Sequence, residues 1–116
     1  RSRDYPRTAR LNELFREIIA EALERIDDDR LPLVTVTSVD VDADLKRAIV
    51  YIASLDETAD EQTLEALGEA RIRLQGAVAR EARVKRTPEL VFRIDDVLRT
   101  AQRIDELLRD QPPQEQ

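Results

Sequence analysis

Apolar residues recur every three or four positions near the start of the chain. The repeat consists of Leu11, Leu14, Phe15, Ile18, Ile19, Ala22, Leu23 and Ile26. This spacing places one apolar stripe along a helix and predicts an amphipathic helix from about Thr8 to Ile26. Thr8 is a candidate N-cap, and the charged segment "DDDRLP" at 27–32 provides the signal that ends the helix.

The next segment, "LVTVTSVDVDADLKRAIVYIASL" at 33–55, changes to residues that favour strands. Polar residues interrupt it at 42–46, which predicts two strands joined by a turn. Val34 and Val36 share one parity, whereas Val39 and Val41 have the other. Either a bulge at Ser38 restores a single buried face or both faces are partly covered, and we favour the bulge.

Helical spacing returns after residue 55 and continues to about Arg86. The stripe is formed by Leu64, Leu67, Ala70, Leu74, Ala77 or Val78, and Ala82. The helical pattern ends at Thr87 because Pro88 favours extended geometry in the residue before it. Nearly thirty residues is long for one helix in so small a chain, and Gly68 lies within it. We therefore expect a bend or break near Gly68 to Arg71.

The pattern changes to strict alternation after Pro88, where Leu90, Phe92 and Ile94 predict a third strand with one buried face. A last amphipathic helix follows, with Val97, Leu98, Ala101, Ile104, Leu107 and Leu108 on its apolar side. Together the elements predict one α+β domain over residues 1–110, with helices on one face of a three-stranded sheet. The long helical connection favours a third strand parallel to its neighbour, and we expect the tail 111–116 to be disordered.

Composition narrows the possible chemistry. The 116 residues, 41% hydrophobic and 38% charged, suit a single domain, and the chain has neither Cys nor His. The thiolate nucleophile and the commonest general base are therefore missing. The two glycines, Gly68 and Gly76, form no phosphate-binding loop. We expect no enzyme activity and no cofactor. No apolar run is long enough for a membrane span or a signal peptide, so we expect a cytoplasmic protein with no membrane partner.

Asp40, Asp42 and Asp44 resemble the opening of a calcium loop. The sixth position is Leu45 instead of Gly and the twelfth is Tyr51 instead of Glu, so the turn and the bidentate ligand of such a loop are lacking. We predict no metal site here.

Charge is divided unevenly along a chain whose net charge is -6. Segment 40–69 carries about -7 and segment 71–86 about +5 by direct count. The basic residues could simply solvate an exposed helix face, but guanidinium groups suit phosphate contacts and we favour a phosphate-bearing partner. The candidate RNA-binding residues are Arg7, Arg10, Arg71, Arg73, Arg80, Arg83, Lys85 and Arg86.

Several short motifs occur in a familiar order. They comprise Arg7, Arg10 and Asn12 entering the first helix, Arg30 and Leu31, Val34 to Val39 with Asp44, and Pro88 to Phe92 with Asp95. In order and spacing the chain resembles the bacterial ribosome-binding factor A family, over about Pro6 to Leu108.

This resemblance implies a type II KH-like fold of αββααβ topology followed by an added C-terminal helix. It also implies binding to the immature small ribosomal subunit and its rRNA near the decoding region, in late maturation, rRNA processing and cold adaptation. The implied partners are small-subunit rRNA and small-subunit ribosomal proteins, and we expect a monomer. The family's Ala-x-Gly kink aligns with Ala70, Arg71 and Ile72, so the glycine is missing, and Gly68 is the alternative kink position. The competing interpretation is a protein-interaction module that uses its acidic face or a sheet edge.

Overall fold

The computed structural model describes the backbone of residues 5–110 and the side chains of 8–97 and 99–109. The predicted tail at 111–116 lies outside these residues. The described elements are the helix α1 (Tyr5–Glu24), the strands β1 (Val34–Val41) and β2 (Arg47–Ser54), a 3-10 turn (Glu57–Ala59), the helix α2 (Asp60–Glu81), the strand β3 (Glu89–Ile94) and the helix α3 (Val97–Asp110).

The strands form one mixed sheet in the order β1-β2-β3. β1 and β2 are antiparallel, and β3 is parallel to β2, as the sequence predicted. The predicted bulge is also confirmed, because Val36 pairs with Ile52 and Ser38 with Tyr51, which leaves Thr37 as the extra residue. The extra residue restores the parity of β1, so Val36, Val39 and Val41 are all buried.

The core lies between the sheet and the two helices α1 and α2. Phe15 and Ile19 of α1 are fully buried, as are Leu74 of α2 and Val50 of β2. Phe92 packs against the same cluster, which confirms that the two phenylalanines share a core. Phe92 is only partly buried, because it lies on the edge strand β3, where fewer neighbours surround its ring.

Two side-chain amides fasten the helices to the outer strands. The Oδ1 atom of Asn12 accepts a hydrogen bond from the backbone N–H of Val41 in β1 at 2.8 Å. The Oε1 atom of Gln75 accepts one from the backbone N–H of Leu90 in β3 at 3.0 Å. Each bond satisfies a donor on a strand that has no neighbouring strand on that side. The pair holds α1 to one edge of the sheet and α2 to the other.

The helical region between β2 and β3 is a single helix, so the expected break near Gly68 to Arg71 is wrong. Neither glycine has a positive φ, and α2 runs without interruption through both. A helical glycine costs only about 1 kcal/mol relative to alanine. The buried stripe continues across Gly68 through Leu67, Ala70 and Leu74, and its packing outweighs that cost.

The predicted end of this helix at about Arg86 is also wrong, because α2 ends at Glu81. The backbone N–H of Ala82 still bonds to the carbonyl of Val78, but Arg83 has a φ of 57° and turns the chain out of the helix. Residues 82–88 therefore form a connecting loop, which we call the basic loop.

α3 contacts the rest of the molecule mainly through Arg99 and Arg103, and Arg103 pairs with Glu57 of the 3-10 turn. The guanidinium of Arg99 donates to Asp60 Oδ2 at 2.6 Å and to the carbonyl of Ser54 at 2.8 Å. The apolar side chains of Val97, Ile104, Leu107 and Leu108 are exposed. The predicted amphipathic pattern is present, but its apolar stripe is not covered within residues 5–110.

Candidate nucleic-acid interface

The structure divides the predicted basic residues among several places. Arg71, Arg73 and Arg80 lie on α2, whereas Arg83, Lys85 and Arg86 lie on the basic loop. The expectation that all six share one helix is therefore wrong, because the helix ends before Arg83.

In the basic loop, exposed cationic side chains alternate with apolar side chains that pack against the core. Val84 packs against the core and Pro88 is fully buried, while the three cationic side chains are exposed. The left-handed backbone at Arg83 is uncommon for a residue with a side chain and starts this alternation. Local geometry thus directs the loop's positive charge outward.

A further cation joins the basic loop through strand pairing. The backbone N–H of Glu89 donates to the carbonyl of Lys46 at 3.0 Å, which places the hairpin turn beside the end of the loop. Lys46 is exposed. Reasoning from the sequence missed it because it lies far along the chain from the basic segment. The predicted parallel pairing of β3 was the signal that could have found it.

Arg71 is oriented differently from the other candidates. Its Nη1 atom lies 3.9 Å from Glu89 Oε2, at the start of β3. Its Nε atom is buried and has no hydrogen-bond partner among the described residues. Arg71 is therefore directed partly toward the sheet and is less available to a partner than its neighbours.

Arg73 and Arg80 border a groove between α1 and α2. Arg25, near the end of α1, lines the same groove from the other side. Sequence reasoning missed Arg25 because it belongs to a different helical segment, and only the packing of α1 against α2 brings it near.

The remaining two candidates belong to α1. Arg10 is exposed, and the nearby hydrogen bond from the backbone N–H of Val41 to Asn12 places this part of α1 at the hairpin-turn end of the sheet. Arg7 lies in the helix, and its side chain is outside the described ones.

Ion pairing separates the candidates from other cations. Of the seven candidates whose side chains are described, all but Arg71 lack an ion pair within the described residues. Most of the other cations whose side chains the structure describes are paired, the exceptions being Lys46 and Arg93. The paired ones are Arg16, Arg25, Arg30, Arg47, Arg99, Arg103 and Arg109, each with a carboxylate. The candidate interface therefore presents positive charge that its own acids do not neutralise.

Acids away from the interface are held by local partners. Arg30 bonds to Asp28 at 2.7 Å and to Glu69 at 2.6 Å, which ties the loop after α1 to α2. The Arg30 guanidinium and backbone N–H lower the pKa of the Asp28 carboxyl to about 2. The hydrogen bond to Asp60 raises the pKa of Arg99.

The acidic side chains of the hairpin turn also interact with neighbours in the turn. Asp44 accepts the backbone N–H of Lys46 at 3.0 Å, and Asp42 lies 3.8 Å from Arg47. Across the described residues, no three acidic side chains converge into an arrangement that could hold a metal ion. Within the same range, no helix is both long and apolar enough to cross a membrane.

Comparison with known proteins gives one consistent family. A family model described as "Ribosome-binding factor A" matches residues 7–108. A protein of that name from Rhodopseudomonas palustris (strain HaA2) is 40% identical over 108 residues, which cover 90% of this chain and 80% of the relative.

Two structural comparisons agree with the sequence matches. The crystal structure of ribosome-binding factor A from Thermus thermophilus is 34% identical, with a TM-score of 0.71 over 75% of this chain and 94% of the other. A homology model of the Thermus thermophilus factor, fitted into a cryo-EM map of a 30S complex, is 33% identical. Its TM-score is 0.63, over 72% of this chain and 90% of the other. These likenesses confirm the predicted α+β, KH-like fold class.

Proposed function

The chain belongs to the ribosome-binding factor A family, and from this membership we propose that it binds the small ribosomal subunit through phosphates of its rRNA. It assists late maturation of that subunit and processing of its rRNA, including during cold adaptation. It acts in the cytoplasm as a monomeric binding factor and carries out no catalysis. The Thermus thermophilus factor that was fitted into a map of a 30S complex supports the choice of partner.

One observation carries the proposal, namely the unpaired cations of the candidate interface. A protein of net charge -6 is repelled by RNA at long range, so binding requires a local basic surface. Arg73, Arg80, Arg83, Lys85 and Arg86 are exposed and have no carboxylate partner among the described residues. Contacts from these groups release counterions from the phosphate backbone, which favours association.

Lys85 and Arg86 provide the sharpest test because they are exposed and lie outside any helix or strand. Lys85→Glu/Arg86→Glu should greatly weaken co-sedimentation with small subunits. Arg103→Glu/Arg109→Glu is the matched control, since it changes the net charge equally on α3, where both arginines pair with carboxylates. Equal loss in both variants would mean that total charge, or a contact made by α3, governs binding and that the basic loop has no special role. Wild-type binding by the basic-loop variant would contradict the proposal.

Protein contacts form a second candidate function, favoured by the exposed apolar residues of α3. Ile104, Leu107 and Leu108 are all more than half exposed. Such a stripe can pack against a partner protein, including a small-subunit ribosomal protein. Binding to subunits that withstands high salt and is lost in an Ile104→Ser/Leu108→Ser variant would favour this candidate.

A further inference from the structure

The groove between α1 and α2 combines an apolar floor with a cationic rim. Ile26 and Ala77 contribute to the floor, Ile72 lies exposed at the edge, and Arg25, Arg73 and Arg80 are the three charged lining residues. Its volume is about 240 Å³. Pockets that enclose a drug-sized molecule usually measure roughly 300–1,000 Å³, so this groove has room for one small ring system.

The charge of the groove selects an anionic partner. No acidic residue lines it, and Arg73 and Arg80 have no ion pair within the described residues. Arg25 lies 3.6 Å from Glu21, but both side chains are largely exposed and such a pair is weak. The guanidinium groups can therefore turn toward phosphates at small cost.

The position of the planar Arg80 guanidinium gives the groove a surface that suits a flat ligand. A Cβ atom added at Gly76 would lie 3.4 Å from Arg80 Nη1, so the end of the Arg80 side chain extends back along α2 to Gly76. Ile72 is 77% exposed, which leaves its apolar surface open to a ligand. Unpaired RNA bases stack on guanidinium planes and on apolar side chains, whereas bases in a duplex are covered by their neighbours.

We propose that this groove seats one unpaired RNA nucleotide. The base lies against Ile72 and the guanidinium of Arg80, and the flanking phosphates contact Arg25 and Arg73. The inference rests on the proposed rRNA binding and deepens it, because it assigns the chain a preference for single-stranded RNA over duplex RNA.

Three RNA probes test the proposal by fluorescence anisotropy at low salt. They are a single strand of about eight nucleotides, its duplex, and the same strand with abasic sugars at its central positions. The intact strand should bind about tenfold more tightly than the duplex or the abasic strand. A contact with phosphates alone would not distinguish the intact strand from the abasic one.

Two glycine-to-leucine substitutions on α2 test whether the preference for the intact strand arises in the groove. Gly76→Leu fills the groove with a side chain and should remove the preference for the intact strand. Gly68→Leu is the control on the same helix, where nothing lies within 4 Å of an added Cβ, and should keep the preference. Ile72→Asn changes an exposed residue that the core does not need, and it should reproduce the loss if Gly76→Leu fails to fold.

Equal affinity of the wild type for intact and abasic strands would overturn the groove proposal, and so would failure to bind any of the probes. If such a protein still co-sediments with small subunits, the proposed function stands without the groove. A base preference that Gly76→Leu removes, in a chain that does not bind subunits, would support the groove and contradict the ribosomal role.

Discussion

The hydroxyl of Thr37 lies 2.7 Å from Asp95 Oδ2 and joins the bulge of β1 to the end of β3. Asp95 Oδ1 also accepts the backbone N–H of Val97 at 3.2 Å, the first residue of α3. One carboxylate therefore links the two edge strands of the sheet and caps the last helix. Thr37 is the extra residue of the bulge, and its hydroxyl also lies 3.2 Å from the backbone carbonyl oxygen of Tyr51 in β2.

Removing this carboxylate should destabilise the fold measurably. We expect Asp95→Ala to cost about 1 kcal/mol, since it removes a helix cap and a side-chain hydrogen bond. Urea unfolding followed by circular dichroism measures the change. Asp29→Ala is the control, because the Asp29 side chain is exposed and makes no hydrogen bond or ion pair among the described residues. Equal midpoints for the two variants would mean that the Thr37–Asp95 link contributes nothing.

The two phenylalanines should differ in their contribution to stability. Phe15 is fully buried, so Phe15→Ala should cost about 3–5 kcal/mol in denaturant unfolding. Phe92 is only partly buried on an edge strand, and its truncation should cost clearly less. A change under about 1 kcal/mol for Phe15→Ala would contradict the packing of α1 on the sheet.

Acid should weaken the link between Arg30 and Asp28. The folded-state pKa of Asp28 is depressed to about 2, so the stabilisation is present above its ordinary pKa. It is lost as the pH falls from about 4 to about 2. Arg30→Gln should return the Asp28 pKa toward its ordinary value, as carboxyl NMR titration can measure. The stability difference between this variant and the wild type should shrink over the same pH range.

Arg47→Gln provides the control for this titration. This substitution removes a longer ion pair at the hairpin turn, in which Arg47 Nε lies 3.8 Å from Asp42 Oδ2. The Asp28 titration should be the same as in the wild type. A wild-type Asp28 that titrates at its ordinary pKa would contradict the arrangement around Arg30.

Salt should report how many phosphates the candidate interface contacts. With about four contacts, the logarithm of the affinity for small subunits should fall against the logarithm of salt with a slope of roughly -3 to -4. Lys85→Glu/Arg86→Glu should flatten the slope by about 1.5 if both residues contact phosphates. An unchanged slope, with affinity reduced, would instead indicate that the variant disturbs the loop without losing phosphate contacts.

The sequence predicted the sheet well because the relevant signals are local. The parity change between Val36 and Val39 can be accommodated by one extra residue, and the structure places that residue at Thr37. The proline and alternation around Leu90 located β3 correctly. Patterns of this kind depend on neighbours in the chain and need no knowledge of tertiary contacts.

The helical region and the site were harder because their determinants are not local. The cost of Gly68 was visible in the sequence, but the packing that offsets it depends on burial of α2 against the sheet. The positive φ of Arg83 has no sequence signal, since an arginine rarely adopts it. Arg25 and Lys46 enter the interface only through helix packing and strand pairing.

The unbroken course of α2 has a consequence for the thermodynamics of recognition. Arg73 and Arg80 are separated by two helical turns, about 10 Å along the axis, and no hinge lies between them in the helix. Their backbone positions are set when the protein folds, so a ligand need not order them on binding, and the entropy lost on association is correspondingly smaller. The same rigidity restricts the choice of ligand, because only a strand that presents a base to Arg80 and a neighbouring phosphate to Arg73 across this interval can engage both arginines at once.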